Sequence, residues 1–409
     1  MSTSSVSEES TFLQQHHQQE QQEQQEQQEQ QEQTKDEVLT FDINIWDYWI
    51  EVIKRMKSNS DVHEHSLEHL HIIQLGNKIR SRTTQRHYDE DIINATTHII
   101  VKDVPDQFGD ENQYHDAFFD ILALSNQEAK SYLIGKKLCV YNSKNLFLIF
   151  SEVVYETFVQ EVFIHDSDVY EDEVNLNHRL IFPILQSLAR SSQDLRFLPG
   201  ETRLKAVAYE LELLLRETSH HYNADATFTC NSHQLEMALL ETTGKLHAED
   251  KPKETKDYVK AGYGLLSMLH RIGRIYKYAD FELFKKLYVY FIQVTPFKIR
   301  IWKFNMPDHK VYCLNCIASV KIPTDRITCE MNLRNLINVM WFLKTNMDNS
   351  MKILDDLKIS HANRMKLKAR RLPGHENIID IDSHFKTSTT VILNTKYIKD
   401  TDDIQMRSF

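Results

Sequence analysis

Asp225 opens the run "DATFTC", and Glu241 closes the run "LEMALLET" sixteen positions later. Both runs alternate apolar and polar residues, and the turn-rich "NSHQ" between them is the signature of a β-hairpin. A hairpin lays the start of its first strand against the end of its second, so the two carboxylates meet at one sheet edge. Such a pair can hold Mg²⁺, a hard cation that takes a few carboxylate oxygens and keeps positions for water and phosphate. The chemistry would be attack on a phosphodiester, with the ion acidifying a water and offsetting the charge that builds in the transition state. Strand parity places Leu235, Met237, Leu239 and Glu241 on one face, so the glutamate follows three apolar residues to the sheet's end, a placement that suits a metal ligand at a cleft better than an arbitrary surface charge.

A helical glutamate upstream could add a ligand or a general base; Glu210 and Glu217 are the candidates, Glu212 less so. A lysine near the metal would stabilise the phosphate or position the attacking water. Lys245, Lys256 and Lys260 are the candidates, and Lys256 and Lys260, four apart, share a helix face. From Lys251 to Lys310 thirteen Lys or Arg stand against five Asp or Glu, an excess that could face an anion. Trp302, flanked by Arg300 and Lys303, could stack a base, although aromatics at strand spacing more often build core. Lys260, Arg300, Trp302 and Lys303 are therefore the candidate nucleic-acid contacts.

The elements that must position these residues follow from periodicity. Residues 1–40 hold a Gln/Glu tract with a three-residue repeat that cannot bury a core; it reads as a disordered tail with scope for protein partners. Residues 41–172 read as mainly helical, beginning with "DINIWDYWIEVIKRM", where Asp42 is placed to cap. The apolar "NLFLIFSEVVYETFVQEVFI" fits a buried helix or paired strands equally. The acidic "HDSDVYEDEVN" sets a soft boundary near residue 172. Residues 173–358 then predict helix, helix, strand, strand, helix, strand, strand, strand, helix, and residues 359–409 a basic and polar tail. One mixed sheet flanked by helices, an α/β (α+β) domain behind a helical N-terminal region, is the compact solution.

The chain has 409 residues and a net charge of −11, but Ser7–Glu37 alone carries nine acidic residues against one lysine, so the global sign says little about partners. Five cysteines in so long a chain do not make a disulfide framework. No basic n-region with an apolar core opens the sequence and no window reaches 18 apolar residues, which predicts a soluble, intracellular protein, nuclear or cytoplasmic, with no membrane partner. His65 and His69 stand at i and i+4 without a third ligand and read as a solvated helix face. Cys313 and Cys316 form a CxxC with neither a second pair nor a strand-to-helix turn, and read as buried strand cysteines. "KARR" at 368–371 reads as part of the basic tail.

The order helix with Glu, strand with Asp, strand ending in Glu, then a helix bearing Lys resembles the restriction-endonuclease-like PD-(D/E)XK nuclease superfamily. The segment "DATFTCNSHQLEMALLETTGKL...KETKDYVKAGYGLLSMLHRI" looks more particularly like the divergent nuclease-like domains of large fungal protein families, over roughly residues 200 to 345. The resemblance implies a Mg²⁺-dependent nuclease on nucleic acid, Asp225 and Glu241 as metal ligands, and Lys256 and Lys260 in the helix that often carries an auxiliary basic residue. One departure stands out. The motif lysine, two residues after Glu241, is Thr243. Lys245 or a helical lysine then replaces it, or the domain is a non-catalytic interaction module on the same fold.

Overall fold

The computed structural model describes residues 44–57, 66–76, 104–109, 112–164, 167–215 and 222–386. The Gln/Glu tract, Asp42, His65 and Glu217 lie outside the described residues. Seven strands form one mixed sheet: β1 (Ile72–Gly76), β2 (Leu195–Arg203), β3 (Asn223–Cys230), β4 (Leu235–Thr242), β5 (Val289–Val294), β6 (Lys298–Asp308) and β7 (Val311–Lys321), in the order β1-β7-β6-β5-β4-β3-β2. β1 is parallel to β7 and β4 to β5; the other neighbours are antiparallel. The longer helices are α1 (Ile45–Lys57), α2 (Asn112–Leu124), α3 (Asn126–Asn142), α4 (Leu146–Thr157), α5 (Phe182–Arg190), α6 (Lys205–Leu215), α7 (Lys251–Ile275) and α8 (Glu330–Ala369). The expected mixed sheet flanked by helices is thus observed.

The ambiguous apolar run is helical. Asn145 caps α4 by accepting from the N–H groups of Phe147 and Leu148 at 3.0 and 3.2 Å, and an asparagine at that position satisfies donors that a strand would send sideways. Two strands escape the sequence reading. β1 lies in the region expected to be helical, and β2 precedes α6 at the outer edge of the sheet. Pro199 suits that edge, where a missing N–H costs no ladder bond.

Every residue of β4 is buried, so both faces of the strand are covered. The parallel pairing of β4 with β5, Glu241 opposite Gln293, requires a crossover, and α7 supplies it. Asp250 caps α7 by accepting from Lys253 N at 3.0 Å, with Pro252 in the first turn. Gly264 lets the helix sink onto the sheet: a Cβ there would lie 2.6 Å from a ring carbon of Tyr222 and 2.8 Å from Leu239. Adjacent residues of β5 point to opposite faces, so Phe291 approaches Tyr258 of α7 while the Tyr290 hydroxyl donates to Asn346 O of α8 at 2.8 Å. The two long helices therefore cover opposite sides of the sheet.

A bulge corrects the parity of β4. Phe228 pairs with Ala238, but Thr229 pairs with Glu236, which leaves Met237 as the extra residue. Glu236, Leu239 and Glu241 consequently all face α7, touching Arg271, Gly264 and Lys260 respectively.

The core also runs through the boundary drawn near residue 172. Phe118, Phe150 and Tyr155 from one side belong to one cluster with Leu180, Leu239 and Leu336 from the other. Nor does a tail begin at 359. α8 continues to Ala369, and Ile381 and Phe385 are buried against α7, where a Cβ on Gly273 would lie 2.3 Å from Phe385. Among the described residues no helix is long and apolar enough to cross a membrane.

Candidate active site

The hairpin brings Asp225 and Glu241 to the same end of the sheet, as their spacing requires. Ala226 is the Cα partner of Leu240, and the Asp225 carboxylate accepts from Thr242 N at 2.6 Å. Glu241 is 3% exposed. Its carboxylate accepts from the Tyr222 hydroxyl at 2.7 Å and pairs with the Lys260 ammonium at 3.1 Å. Lys260 also donates to Asn223 O at 2.7 Å, and its ammonium sits 4.5 Å from the Tyr222 ring centroid. Thr243 donates from its hydroxyl to Asp257 at 2.8 Å. Glu173, from the short turn Glu173–Asn175, accepts from Gly244 N at 2.7 Å and pairs with Lys253.

The cations beside these carboxylates come from α7. Lys253, Asp257 and Lys260, at i, i+4 and i+7, form a stripe that faces the carboxylates. Lys256 lies off this stripe and is exposed, as is Lys245 in the loop after β4. The structure brings Lys260 to Glu241 and leaves both others outside.

Four carboxylates, on Asp225, Glu241, Asp257 and Glu173, stand against two ammonium groups, on Lys253 and Lys260, a formal excess of two negative charges. Burial pushes the Glu241 carboxyl up to about 8; Lys260 and the Tyr222 hydroxyl oppose the rise, and Asp225 and Asp257 add to it. Asp257 is likewise raised to about 6, chiefly by burial, with the Thr243 hydroxyl, Lys253 and Lys260 opposing. Burial raises Asp225 as well, against the Thr242 N–H. Each carboxylate disfavours ionisation of the next, and two cations do not cancel the repulsion.

Glu210 does not join them. On α6 it pairs with His270 at 2.8 Å and Arg274 at 3.4 Å. Ten residues of α7 separate Lys260 from His270, about 15 Å along the helix axis. Burial alone would raise the Glu210 carboxyl, but the His270 hydrogen bond and charge, the Ser267 hydroxyl and Arg274 hold it down at about 2. Glu212 is exposed.

Of the expected nucleic-acid contacts Trp302 is turned inward, whereas Lys260, Arg300 and Lys303 are half-buried. Trp302 is 1% exposed, donates from its ring nitrogen to Gln293 at 3.3 Å, and lies 5.0 Å from the Tyr258 ring, so no base can stack on it. Arg300 pairs with Glu254 at 2.5 Å, and Lys303 sits 4.7 Å from the Tyr288 ring, its ammonium pKa lowered by burial. The sheet is covered here, so Trp302 belongs to the core while Arg300 and Lys303 lie at its margin. Lys368 of "KARR" pairs with Asp380 at 2.9 Å. Cys313 and Cys316 are buried in β7, their thiols raised by burial to about 12 and about 11.

Tyr222, Asp257, Glu173 and Lys253 were missed by sequence reasoning. The i, i+4, i+7 spacing of Lys253, Asp257 and Lys260 is a legible signal for two of them; Tyr222 and Glu173 carry none.

Carboxylate, water and phosphate oxygens are the donors that Mg²⁺ takes; here the carboxylates of Glu241, Asp225, Asp257 and Glu173 already bond Tyr222 and Lys260, Thr242 N, Thr243, and Gly244 N and Lys253 respectively. Among the described residues no group of three or more His, Cys, Asp or Glu side chains stands together as a ready metal cage. Comparison of the chain with protein-family models, with curated proteins and with solved structures finds no match.

Proposed function

We propose that the α/β domain cleaves nucleic-acid phosphodiester bonds with Mg²⁺ at the Asp225–Glu241 end of the sheet, on a restriction-endonuclease-like core. The observation that carries this reading is Lys260, whose ammonium stands 3.1 Å from Glu241 and supplies the charge absent at Thr243. Asp225 and Glu241 would hold the ion, which would acidify a water and offset charge on the phosphodiester. Lys260 keeps its ammonium beside that position, and Tyr222 fixes the Glu241 carboxylate from the other side. Because Glu241 retains its proton up to about 8, ion binding displaces a proton and strengthens as pH rises from 6 towards 8.

The test is cleavage of labelled DNA and RNA by the full chain with Mg²⁺. Asp225→Asn, Glu241→Gln and Lys260→Met should each lower the rate by about 10²-fold or more, the scale of losing one preorganised electrostatic group. Lys245→Ala and Lys256→Ala should stay within about threefold, as exposed side chains outside the cluster. Unchanged cleavage in both carboxylate variants would sink the assignment.

A second reading, a non-catalytic interaction module, is favoured by one observation: Tyr222 and Lys260 already occupy the Glu241 carboxylate. Nucleic-acid binding that weakens with salt, with no divalent-dependent turnover, would support it.

A further inference from the structure

Beside the carboxylate pair the chain holds one of its own carboxylates against a lysine and a backbone N–H. Gly244, in the left-handed region at φ 72°, donates its N–H to Glu173 Oε2 at 2.7 Å, and the Lys253 ammonium reaches the same oxygen. A backbone N–H and a lysine converging on one anionic oxygen is the donor set by which proteins hold phosphate. The position adjoins the candidate active site, because Lys253 also feels the charges of Asp257 and Asp225.

The segment that delivers Glu173 is pinned on both sides. Tyr170 lies parallel to the His247 ring at 5.7 Å, and Asn177 accepts from the Thr242 hydroxyl at 2.7 Å. Asp172 holds the turn by accepting from Asn175 N at 2.7 Å. Yet the Glu173 and Lys253 side chains keep 26% and 37% of their exposure, so an incoming anion can reach them without opening the core.

We propose that Gly244 N–H and Lys253 Nζ form a phosphate-binding position, and that Glu173 is its intramolecular occupant, displaced when a phosphate group enters. This rests on the reading of the same end of the sheet as one that acts on phosphodiesters. The Glu173 Oε2 atom stands in for one non-bridging phosphate oxygen.

The experiment uses the full chain in EDTA at constant ionic strength. Wild type, Glu173→Ala, Glu171→Ala and the double variant Glu173→Ala with Lys253→Met are titrated with inorganic phosphate, read by melting temperature, and with a labelled oligonucleotide, read by anisotropy. Removing the occupant should tighten phosphate binding about tenfold, within the range of a site-to-site coupling. Glu171→Ala removes the same charge from an exposed neighbour and should change affinity less than about twofold, and Lys253→Met should return the double variant to wild-type affinity. Tightening for both ligands identifies a nucleic-acid backbone as the source of the phosphate; tightening for inorganic phosphate alone identifies a free phosphate group. Equal effects of Glu173→Ala and Glu171→Ala, or tightening that survives Lys253→Met, would overturn the proposal. Neither Mg²⁺ nor cleavage enters these readouts, so a phosphate gain without nuclease activity would refute catalysis while leaving the phosphate position standing.

Discussion

The two ends of α7 solve the same problem in opposite ways. At its C-terminal end the buried Glu210 has His270 at 2.8 Å and Arg274 at 3.4 Å, and His270 passes its other ring nitrogen to the Tyr312 hydroxyl at 2.7 Å. Glu236 there accepts from the N–H groups of Lys205 and Ala206 at 2.6 and 2.9 Å and pairs with Arg271. At the N-terminal end four carboxylates share two lysines, and Glu241 rises to about 8 where Glu210 sits at about 2. At one end each buried carboxylate has its own cation, although burial still raises the Glu236 carboxyl; the other end is left short of positive charge, a condition in which ligand sites are found.

The widest separation between the two ends should appear in stability. Glu210→Ala strands His270 and Arg274 without their buried partner and should cost about 3–5 kcal/mol. Asp225→Asn removes one member of a repelling set and should cost less than about 1 kcal/mol. Urea unfolding midpoints of the two variants measure this, and equal losses would erase the distinction.

A smaller effect separates the ends by pH. Glu241 binds its proton more tightly folded than unfolded, so the stability it contributes is complete below the ordinary carboxylate value near 4.5 and is lost as pH rises through about 8. Glu210 has the opposite sign: its contribution is present above the ordinary value and is lost as pH falls towards about 2. Glu241→Gln should therefore flatten the decline of stability between about pH 4.5 and 8, and Glu210→Gln the decline between about pH 4.5 and 2. Profiles indistinguishable from wild type would contradict the assignment of these pKa shifts.

The hairpin carrying Asp225 and Glu241 was legible because the period of the sequence changes from 3.6 to 2 at "DATFTC" and the turn residues are explicit. The companion lysine was half legible. Lys256 and Lys260 share a helix face at i, i+4, but only the longer stripe through Lys253 and Asp257 identifies the member that points inward. Glu210 misled because sequence fixes its place on α6 and not the direction in which α6 lies across α7. Trp302 took the outcome that strand spacing favours, core rather than a base-stacking surface, because α7 and α8, remote in sequence from β6, cover both sides of the sheet. The two missed strands pair with partners far along the chain or carry Pro199 and Gly200, which weaken a local strand signal. The bulge at Met237 shifted parity by one residue, something no alternation pattern reveals.

The most direct measurement is the melting temperature of the full chain with Mg²⁺ titrated at constant ionic strength. An ion bound only by the folded state stabilises by mass action and raises the midpoint. The account predicts a rise for wild type that grows from pH 6 to pH 8 and is absent from both Asp225→Asn and Glu241→Gln. No rise in wild type, or the same rise in all three proteins, would contradict it.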